Sequence, residues 1–204
     1  QALASRELDI DAGAFKDAAG NSIAADNDNA ITYTADDYKP TVSVTVTPNP
    51  AKALAIGGLS IKLVFSESMN SAVAPTVNYD PAGVTGAQAC TGGTWSTTNY
   101  ANDTYTVTNS SEINASTGDG TATLSISGAQ DVAANIMLAD TDDTFTIDAT
   151  VPTVSLSHNH ADLIVRDADS VVITATFSEN MTSAPNISID VASGADADIS
   201  TVMT

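Results

Sequence analysis

Short runs in which apolar and polar residues alternate follow one another along the chain. In its central part the apolar residues of equal parity are Val42, Val44 and Val46, then Leu59, Ile61, Leu63 and Phe65, then Val77 and Tyr79, then Tyr105 and Val107, then Ala122, Leu124 and Ile126, and then Phe145 and Ile147. A period of two residues is that of a β-strand with one buried face. Turn-forming pairs such as Gly57-Gly58, Asp80-Pro81 and Gly92-Gly93 separate the runs. About seven short strands over roughly 100 residues predict an all-β protein with an antiparallel β-sandwich.

The same phrases occur twice along the chain. The matching pairs are 40–46 with 152–158, Phe65 with Phe177, Glu67 with Glu179, Met69 with Met181, Asp17 with Asp131, and Asn21 with Asn135. The first four pairs are 112 residues apart and the last two are 114 residues apart. Several ordered matches at a nearly constant spacing indicate an internal repeat.

The order of the repeated pieces divides the chain into three parts. Residues 1–38 correspond to the C-terminal strands of a preceding unit, residues 39–150 form one complete unit, and residues 151–204 supply the N-terminal half of a following unit. We expect the chain to be a section of a longer tandem array. In the alternative, the incomplete ends complement one another between chains and form a filament by strand exchange. The two ends together lack a counterpart of residues 95–116.

The charge of the chain restricts its partners. There are 25 acidic and 6 basic residues, which give a formal net charge of −19. This charge disfavours nucleic acid and anionic membranes, because binding to phosphate requires the opposite sign. No apolar run approaches the ~18 residues of a membrane-spanning helix, so we expect no direct membrane insertion. The single cysteine, Cys90, excludes a disulfide within the chain and is expected to be a small core residue.

The repeated phrases resemble a known kind of domain. The sequence PTVSLS…DSVVITATFSENMTSAPNISI, with a D-A-A-G-N loop and a Y-T-x-D…PTV exit, resembles the bacterial immunoglobulin-like repeats of large secreted adhesins and other cell-surface proteins. The resemblance covers essentially the whole chain. It implies tandem immunoglobulin-like antiparallel β-sandwich domains, one complete and two partial, in an extracellular or cell-surface protein.

Two features depart from the pattern of these repeats. The loop at 131–135 reads DVAAN, where the commoner form is D-x-A-G-N. The middle of the complete unit, residues 80–120, is longer and carries Cys90 and Trp95. We expect an inserted surface loop there, which is either the ligand-specific part of the domain or neutral drift.

Two of only four glutamates stand in the repeated phrase, just after a run of alternating apolar residues. Glu67 continues the parity of Leu63 and Phe65, and Glu179 does the same in the second copy. Both carboxylates are therefore predicted on the core-facing side, where the strand reaches the end of the sandwich. A carboxylate buried there without a partner costs several kcal/mol. Basic residues are too few to supply a partner in every repeat.

The topology of an immunoglobulin-like domain brings further acidic residues to the same end. The loop between the last two strands and the segment that enters the domain both lie beside the end of the second strand. We therefore predict Ca²⁺ at the junctions between domains, since this ion takes six to eight oxygen ligands. The predicted ligands are Glu67, Asp131, Asn135, Asp36 and Asp37 at the first junction, Glu179 and Asp148 at the next, and Asp17 and Asn21 at the preceding one. In the alternative without metal, Glu67 and Glu179 accept hydrogen bonds from backbone amides of that loop.

No catalytic motif accompanies these acidic residues. The chain has two histidines and lacks the G-x-S-x-G, H-E-x-x-H and C-x-x-C motifs and a Gly-rich phosphate loop. We therefore expect a protein that is not an enzyme. The predicted function is that of a structural repeat in a long extracellular protein, an adhesin stalk or spacer stiffened by Ca²⁺. Its partners would be neighbouring repeats of the same chain and an unknown surface ligand.

Two other functions stay open. One is a self-assembling extracellular filament or surface-layer subunit, whose partners are identical chains. The other is an independent glycan- or protein-binding module carried by residues 80–120. The stalk predicts elongated particles whose length scales with repeat number, and the filament predicts half-domains completed by a neighbouring chain. The binding module predicts that trimming 80–120 removes binding but not the fold.

Overall fold

Backbone hydrogen bonds join the alternating segments into antiparallel ladders, as a period of two residues predicts. The structure is a computed structural model, and the residues that it describes are 4–6, 10–25, 33–161, 170–189 and 199–202. Contacts divide the chain into two units, Gln1–Thr150 and Val151–Thr204. Within the described residues, the secondary structure consists of β-strands and one short 3₁₀-helix, Ala115–Thr117. The prediction of an all-β protein is confirmed.

The strands have the following bounds. In chain order they are β1 (Ala4–Arg6), β2 (Tyr33–Ala35), β3 (Val42–Thr47), β4 (Ser60–Phe65), β5 (Thr76–Asp80), β6 (Gln88–Ser96), β7 (Thr104–Asn109), β8 (Gly120–Ser127), β9 (Thr144–Ile147), β10 (Val154–His158), β11 (Ile173–Phe177), β12 (Asn186–Ile189) and β13 (Ile199–Val202). Strands β3 to β9 form a seven-stranded sheet with the order β3-β4-β7-β6-β5-β8-β9. The pairs β1–β2, β10–β11 and β12–β13 are two-stranded and antiparallel.

One face of the seven-stranded sheet forms a continuous apolar core. The buried cluster includes Ile61, Leu63, Phe65, Val77, Tyr79, Tyr105, Val107, Ala122, Leu124, Ile126, Phe145 and Ile147. Strands from both ends of the sheet contribute to it, so the sheet must fold over on itself in two layers. Within one layer the rings of Tyr79 in β5 and Phe145 in β9 pack edge to face on either side of β8, with centroids 5.7 Å apart. The predicted parity is confirmed for β4, β5, β7, β8 and β9, whereas the apolar side of β3 is only half-buried.

A parallel contact joins the two ends of the sheet. The backbone nitrogen of Ala51 donates to the Thr146 carbonyl at 2.8 Å, and that of Asp148 donates to the Ala51 carbonyl at 2.9 Å. The segment that follows β3 therefore runs parallel to β9. The successive antiparallel pairings also give β3 and β9 the same direction. As a consequence, the chain enters the sandwich before β3 at one end and leaves it after β9 at the other.

Strand β6 corrects two expectations about the middle of the unit. Residues 80–120 are not an inserted surface loop, because β6 and β7 lie inside the sheet. The pair Gly92-Gly93 does not end a strand but forms a bulge inside β6, where the register against β7 shifts. Gly92 has a φ of +71°, and a Cβ atom on Gly93 would lie 2.0 Å from the Tyr105 ring. Both positions require glycine, so the pair signals a bend within a strand.

Two residues of this segment pack against the core. Trp95 lies between Phe65 and Tyr105, with ring centroids at 5.7 Å and 4.8 Å. Cys90 is half-buried against the same cluster, and burial raises the pKa of its thiol to about 12. A thiol with so high a pKa is a poor nucleophile at neutral pH. The expected packing role of Cys90 is confirmed.

The second unit repeats the register of the first two strands of the sandwich. Val42 lies opposite Phe65 in the β3–β4 pair, and Val154 lies opposite Phe177 in the β10–β11 pair. Both members are shifted by 112 residues, which is the period of the sequence repeat. The repeat is therefore structural over these two hairpins, while the division into tandem domains stays a prediction.

A serine closes each of these two hairpins in the same way. The Thr41 nitrogen donates to Ser66 Oγ at 3.1 Å, and the Thr153 nitrogen donates to Ser178 Oγ at 2.9 Å. In return the serine nitrogen donates to the threonine carbonyl at 3.0 Å in both copies. These bonds fix the direction of the chain just before each repeated glutamate.

Asp103 fixes the loop that precedes β7. Its buried carboxylate accepts hydrogen bonds from the backbone nitrogens of Thr98, Asn99 and Tyr100 at 2.7–2.8 Å. The Thr104 hydroxyl donates a fourth bond at 3.1 Å. Burial alone would raise the pKa of Asp103, but these bonds outweigh it and lower the pKa to about 2. The ionised form of Asp103 is therefore the form that stabilises the loop.

We expect Asp103→Asn to lower the free energy of unfolding by about 2 kcal/mol at pH 7, because an amide cannot accept all of these bonds. The folded pKa of about 2 is below the ordinary 3.8, so the stabilisation is complete above about pH 4 and is lost as the pH falls toward 2. Urea unfolding over this range should show the two proteins converging in acid. Asp80→Asn, at an exposed position, is the control. A difference that does not vary with pH would contradict this account.

Candidate metal centre

Three carboxylates from three separate segments meet at the end of the sandwich where the chain enters. Asp36, Glu67 and Asp131 each place a carboxylate oxygen within 4.8 Å of the other two. Glu67 is 8% exposed, Asp131 is fully buried, and Asp36 is half-buried. The structure thus brings together one predicted ligand from the linking segment, one from the end of β4, and one from the loop between β8 and β9.

The end of β4 is tied to the loop that carries Asp131. Glu67 follows the Ser66 hydrogen bonds described above, so its backbone position is set by the β3–β4 hairpin. Two residues later, the fully buried Met69 forms a β-bridge with Asp131. The backbone nitrogen of Asn70 donates to the Gln130 carbonyl at 2.9 Å. These contacts place the two buried carboxylates side by side without involving their own oxygens.

Asn135 connects the loop to the segment that enters the sandwich. Its backbone nitrogen donates to Asp131 Oδ1 and its Nδ2 donates to Asp131 Oδ2, both at 2.8 Å. Nδ2 also donates to the Asp36 carbonyl at 2.9 Å. We call this aspartate with the asparagine four residues later a clasp. Asn135 therefore positions two of the three acidic residues through its amide nitrogen.

Another clasp lies near the start of the described chain. In chain order it is the first clasp, and that of Asp131 and Asn135 is the second. Asn21 donates from its backbone nitrogen to Asp17 Oδ1 and from Nδ2 to Asp17 Oδ2, again at 2.8 Å each. These bonds, led by the one from the side chain of Asn21, lower the pKa of Asp17. The 114-residue spacing of the sequence matches is therefore a structural repeat as well. Among the described residues, Asp17 belongs to no group of three possible ligands.

The other predicted ligands lie outside the cluster. Asp37 is exposed and is not one of the three grouped carboxylates, whereas its neighbour Asp36 is half-buried and belongs to the group. Asp148, just after β9, and Glu179, in the second unit, are both exposed. Of the ligands predicted at this junction, Asp37 is therefore not part of the group. The pairing of Asp148 with Glu179 at the next junction stays a prediction.

The left-handed backbone conformation of Ala134 was not predicted from the sequence. This residue has a φ of +69°, and its counterpart in the first clasp, Gly20, has a φ of +87°. Each nitrogen donates to the carbonyl of the clasp aspartate, at 3.2 Å and 3.0 Å respectively. The loop needs a left-handed residue to close this turn, which explains why glycine is the natural choice there. The alignment of DVAAN with DAAGN was the available signal.

The electrostatics of the three carboxylates favour a cation. Like charges at this separation repel one another, and burial weakens the screening by water. A hard cation among carboxylate oxygens would remove the repulsion, and the absence of sulfur and imidazole from the group favours Ca²⁺ over zinc or copper. The three side chains offer up to six oxygens, within reach of the coordination that Ca²⁺ takes.

Comparison of the chain with family models, with curated proteins and with solved structures gives no significant match. Across the part of the chain that is described, no helix has the length and apolar character needed to span a membrane. The functional conclusions therefore rest on the geometry of this chain.

We expect Ala134→Gly to raise the free energy of unfolding by about 0.5–1 kcal/mol. A left-handed conformation costs a residue with a Cβ roughly 1–2 kcal/mol, and the greater freedom of glycine in the unfolded chain offsets about 0.4–1 kcal/mol of the gain. Ala133→Gly is the matched control, since Ala133 is not among the residues with positive φ, and it should destabilise. Urea unfolding at neutral pH measures both. Equal destabilisation by the two substitutions would show that Ala134 carries no strain.

Proposed function

We propose that this chain is a non-catalytic structural repeat of a long extracellular or cell-surface protein, in which Ca²⁺ stiffens the junctions between immunoglobulin-like domains. The observation that carries the proposal is the group formed by Asp36, Glu67 and Asp131. Asp36 lies in the link between β2 and β3, and the other two residues belong to the sandwich. A cation held by all three would fix the link to the domain that follows it.

The strand order supports an immunoglobulin-like domain. If β3 to β9 are labelled A to G, the pairing order reads A-B-E-D-C-F-G. Sheets ABED and CFG are those of a constant-type immunoglobulin sandwich, here connected through a short pairing of β6 with β5. Within β6, Gln88 and Ala89 pair with β5, and the pairing with β7 begins at Cys90.

The path of the chain supports a serial arrangement of domains. It enters and leaves the sandwich at opposite ends, which is the geometry of a stalk or spacer. Both segments are held by side chains. Asn135 binds the Asp36 carbonyl on the way in, and Asp119 accepts bonds from the nitrogens of Ala149 and Thr150 on the way out. Segments that are fixed to the sandwich in this way would restrict the orientation of one domain relative to the next.

The composition of the chain supports an environment in which divalent cations are abundant. With a net charge of −19, neighbouring domains repel one another at low ionic strength. Ca²⁺ bound at the junctions would lower this repulsion where the domains are closest. An extracellular location also fits the use of oxygen ligands at millimolar Ca²⁺, a range typical of extracellular modules.

We expect Ca²⁺ to raise the thermal midpoint of the chain and Glu67→Gln to remove most of that rise. A ligand at 100 times its dissociation constant stabilises the folded state by about 2.7 kcal/mol. In chelator, Glu67→Gln should instead raise the midpoint, because one of three repelling charges is gone. The effect of the substitution therefore changes sign with Ca²⁺. Differential scanning calorimetry, with isothermal titration for direct binding, measures both effects.

Glu112→Gln, at an exposed position away from the group, is the matched control and should leave the Ca²⁺ response unchanged. If Glu67 serves only as an acceptor for backbone amides, its substitution lowers the midpoint equally in chelator and in Ca²⁺. That result, or a wild-type midpoint that Ca²⁺ does not move, rejects the metal.

The stalk itself is tested by adding repeats. We expect small-angle scattering of chains in which residues 39–150 are duplicated once or twice to show a maximum dimension that grows by a constant increment for each copy. In chelator the increment should shrink, because the junctions bend. A maximum dimension that is nearly independent of copy number would reject the stalk, and an increment unaffected by chelator would reject only the stiffening by metal.

A further inference from the structure

An open groove lies beside β11 in the second unit. It has a volume of about 630 Å³, and its apolar lining includes Val172, Ile173, Ala175, Phe177, Met181 and Pro185. Met181 is 45% exposed, whereas its counterpart in the complete sandwich, Met69, is fully buried. Four of these lining residues, Ile173, Ala175, Phe177 and Met181, are therefore counterparts of core residues of the complete sandwich, namely Ile61, Leu63, Phe65 and Met69.

The first clasp carries exposed apolar residues of the same kind. Phe15 is 67% exposed and Ile23 is 41% exposed, whereas their counterparts Ala129 and Met137 are 0% and 4% exposed. The backbones of the two loops agree. The Ile23 nitrogen donates to the Phe15 carbonyl and the Met137 nitrogen to the Ala129 carbonyl, both at 2.9 Å. The loop keeps the shape of a core-forming element while its core side chains are exposed.

The complete sandwich contains the contact that would cover both surfaces. There the loop after β4 pairs with the clasp loop. Its contacts are the bridge of Met69 with Asp131, the bond from the Asn70 nitrogen to the Gln130 carbonyl, and the bond from the Val132 nitrogen to the Ser68 carbonyl. The counterparts are Met181, Thr182 and Asn180 on the groove side, and Asp17, Lys16 and Ala18 on the loop side.

The sizes of the core residues on the two surfaces are complementary. In the complete sandwich the strand contributes Leu63 and the clasp loop contributes Ala129. On the groove the counterpart of the leucine is Ala175, and on the exposed loop the counterpart of the alanine is Phe15. The change to a smaller residue on the groove is thus accompanied by a change to a larger one on the loop, which would keep the combined apolar volume of the two surfaces similar.

We propose that this chain self-associates head to tail, with the loop 15–23 of one copy seated in the groove beside β11 of a second copy. Phe15 and Ile23 enter the groove, and Asp17 pairs with Met181 as Asp131 pairs with Met69. The interface uses only residues 10–25 and 170–189, none of which belongs to the group of Asp36, Glu67 and Asp131. Because its two surfaces differ, each copy keeps one of each free, so the association is open-ended.

The interface has two expected properties. No segment within it replaces β7, so one edge of β11 stays unpaired and the association is reversible. The chains carry a large negative charge, so added salt, which screens their repulsion, should strengthen the association. Both properties distinguish it from a permanent, charge-driven assembly.

The test uses the full 204-residue chain in sedimentation velocity over a range of concentrations. We expect the weight-average mass of the wild type to rise with concentration and further with salt. Phe15→Asp places a charge on the loop and Met181→Asp places one in the groove. Each substitution should prevent that surface from binding its partner, so each variant alone should be monomeric. Their equimolar mixture should form dimers and nothing larger, because one intact loop meets one intact groove. Val132→Asp, at an exposed apolar residue of the second clasp, is the control and should associate like the wild type.

Several outcomes would overturn the proposal. A wild type that stays monomeric at every concentration does so directly. Association that survives Phe15→Asp or Met181→Asp places the contact elsewhere, as does a mixture of the two variants that remains monomeric while both keep the wild-type circular dichroism. None of these results bears on the Ca²⁺ response of Glu67, so the two proposals fail separately.

Discussion

A carboxylate at the end of an apolar strand must find hydrogen-bond donors or a cation, and this requirement shapes both the loops and the candidate site. With 6 basic residues against 25 acidic ones, the chain satisfies its buried aspartates mainly through amide donors. Asp103 uses three backbone nitrogens, and Asp131 uses the backbone and side chain of Asn135. Around Glu67 three carboxylates meet, and there the proposed cation would add to the amide donors in balancing the charge.

The strands and the inward side of Glu67 could be predicted from parity, whereas placing Asp36 and Asp131 beside Glu67 depends on the immunoglobulin-like topology that the resemblance implies. A period of two fixes which side of β4 is buried, and Glu67 inherits that side from Phe65. Parity within a link of unknown conformation is not fixed in this way, so Asp36 and Asp37 could not be separated in advance. Glycine pairs are equally ambiguous, because a bulge and a turn need the same freedom of φ. For that reason the sequence pattern does not predict β6, which contains Gly92-Gly93.

The two copies of the repeat preserve different things at different positions. Hydrogen-bonded positions keep their geometry closely, as the clasps of Asp17 and Asp131 and the serine contacts of the two hairpins show. Core positions are less uniform, because Phe65 and Met69 recur as Phe177 and Met181 whereas Leu63 becomes Ala175. The geometry at hydrogen-bonded positions is constrained, because a buried donor or acceptor without a partner costs about 1–3 kcal/mol. Apolar packing tolerates exchange provided that the total volume is kept.

This division suggests how such a chain would control which loop fills which groove. Every clasp loop has nearly the same backbone, so hydrogen bonding alone would let loops exchange among repeats. Side-chain volume would discriminate between them. Leu63 and Ala129 share one core cluster, to which Phe15 in place of Ala129 would add volume, whereas Ala129 in place of Phe15 would leave the proposed contact with the groove underfilled. A cavity or an overpacked contact of this size costs about 1–3 kcal/mol. Repeats with one shared backbone can therefore keep separate partners through their core residues, while the acidic residues at the end of the sandwich stay alike.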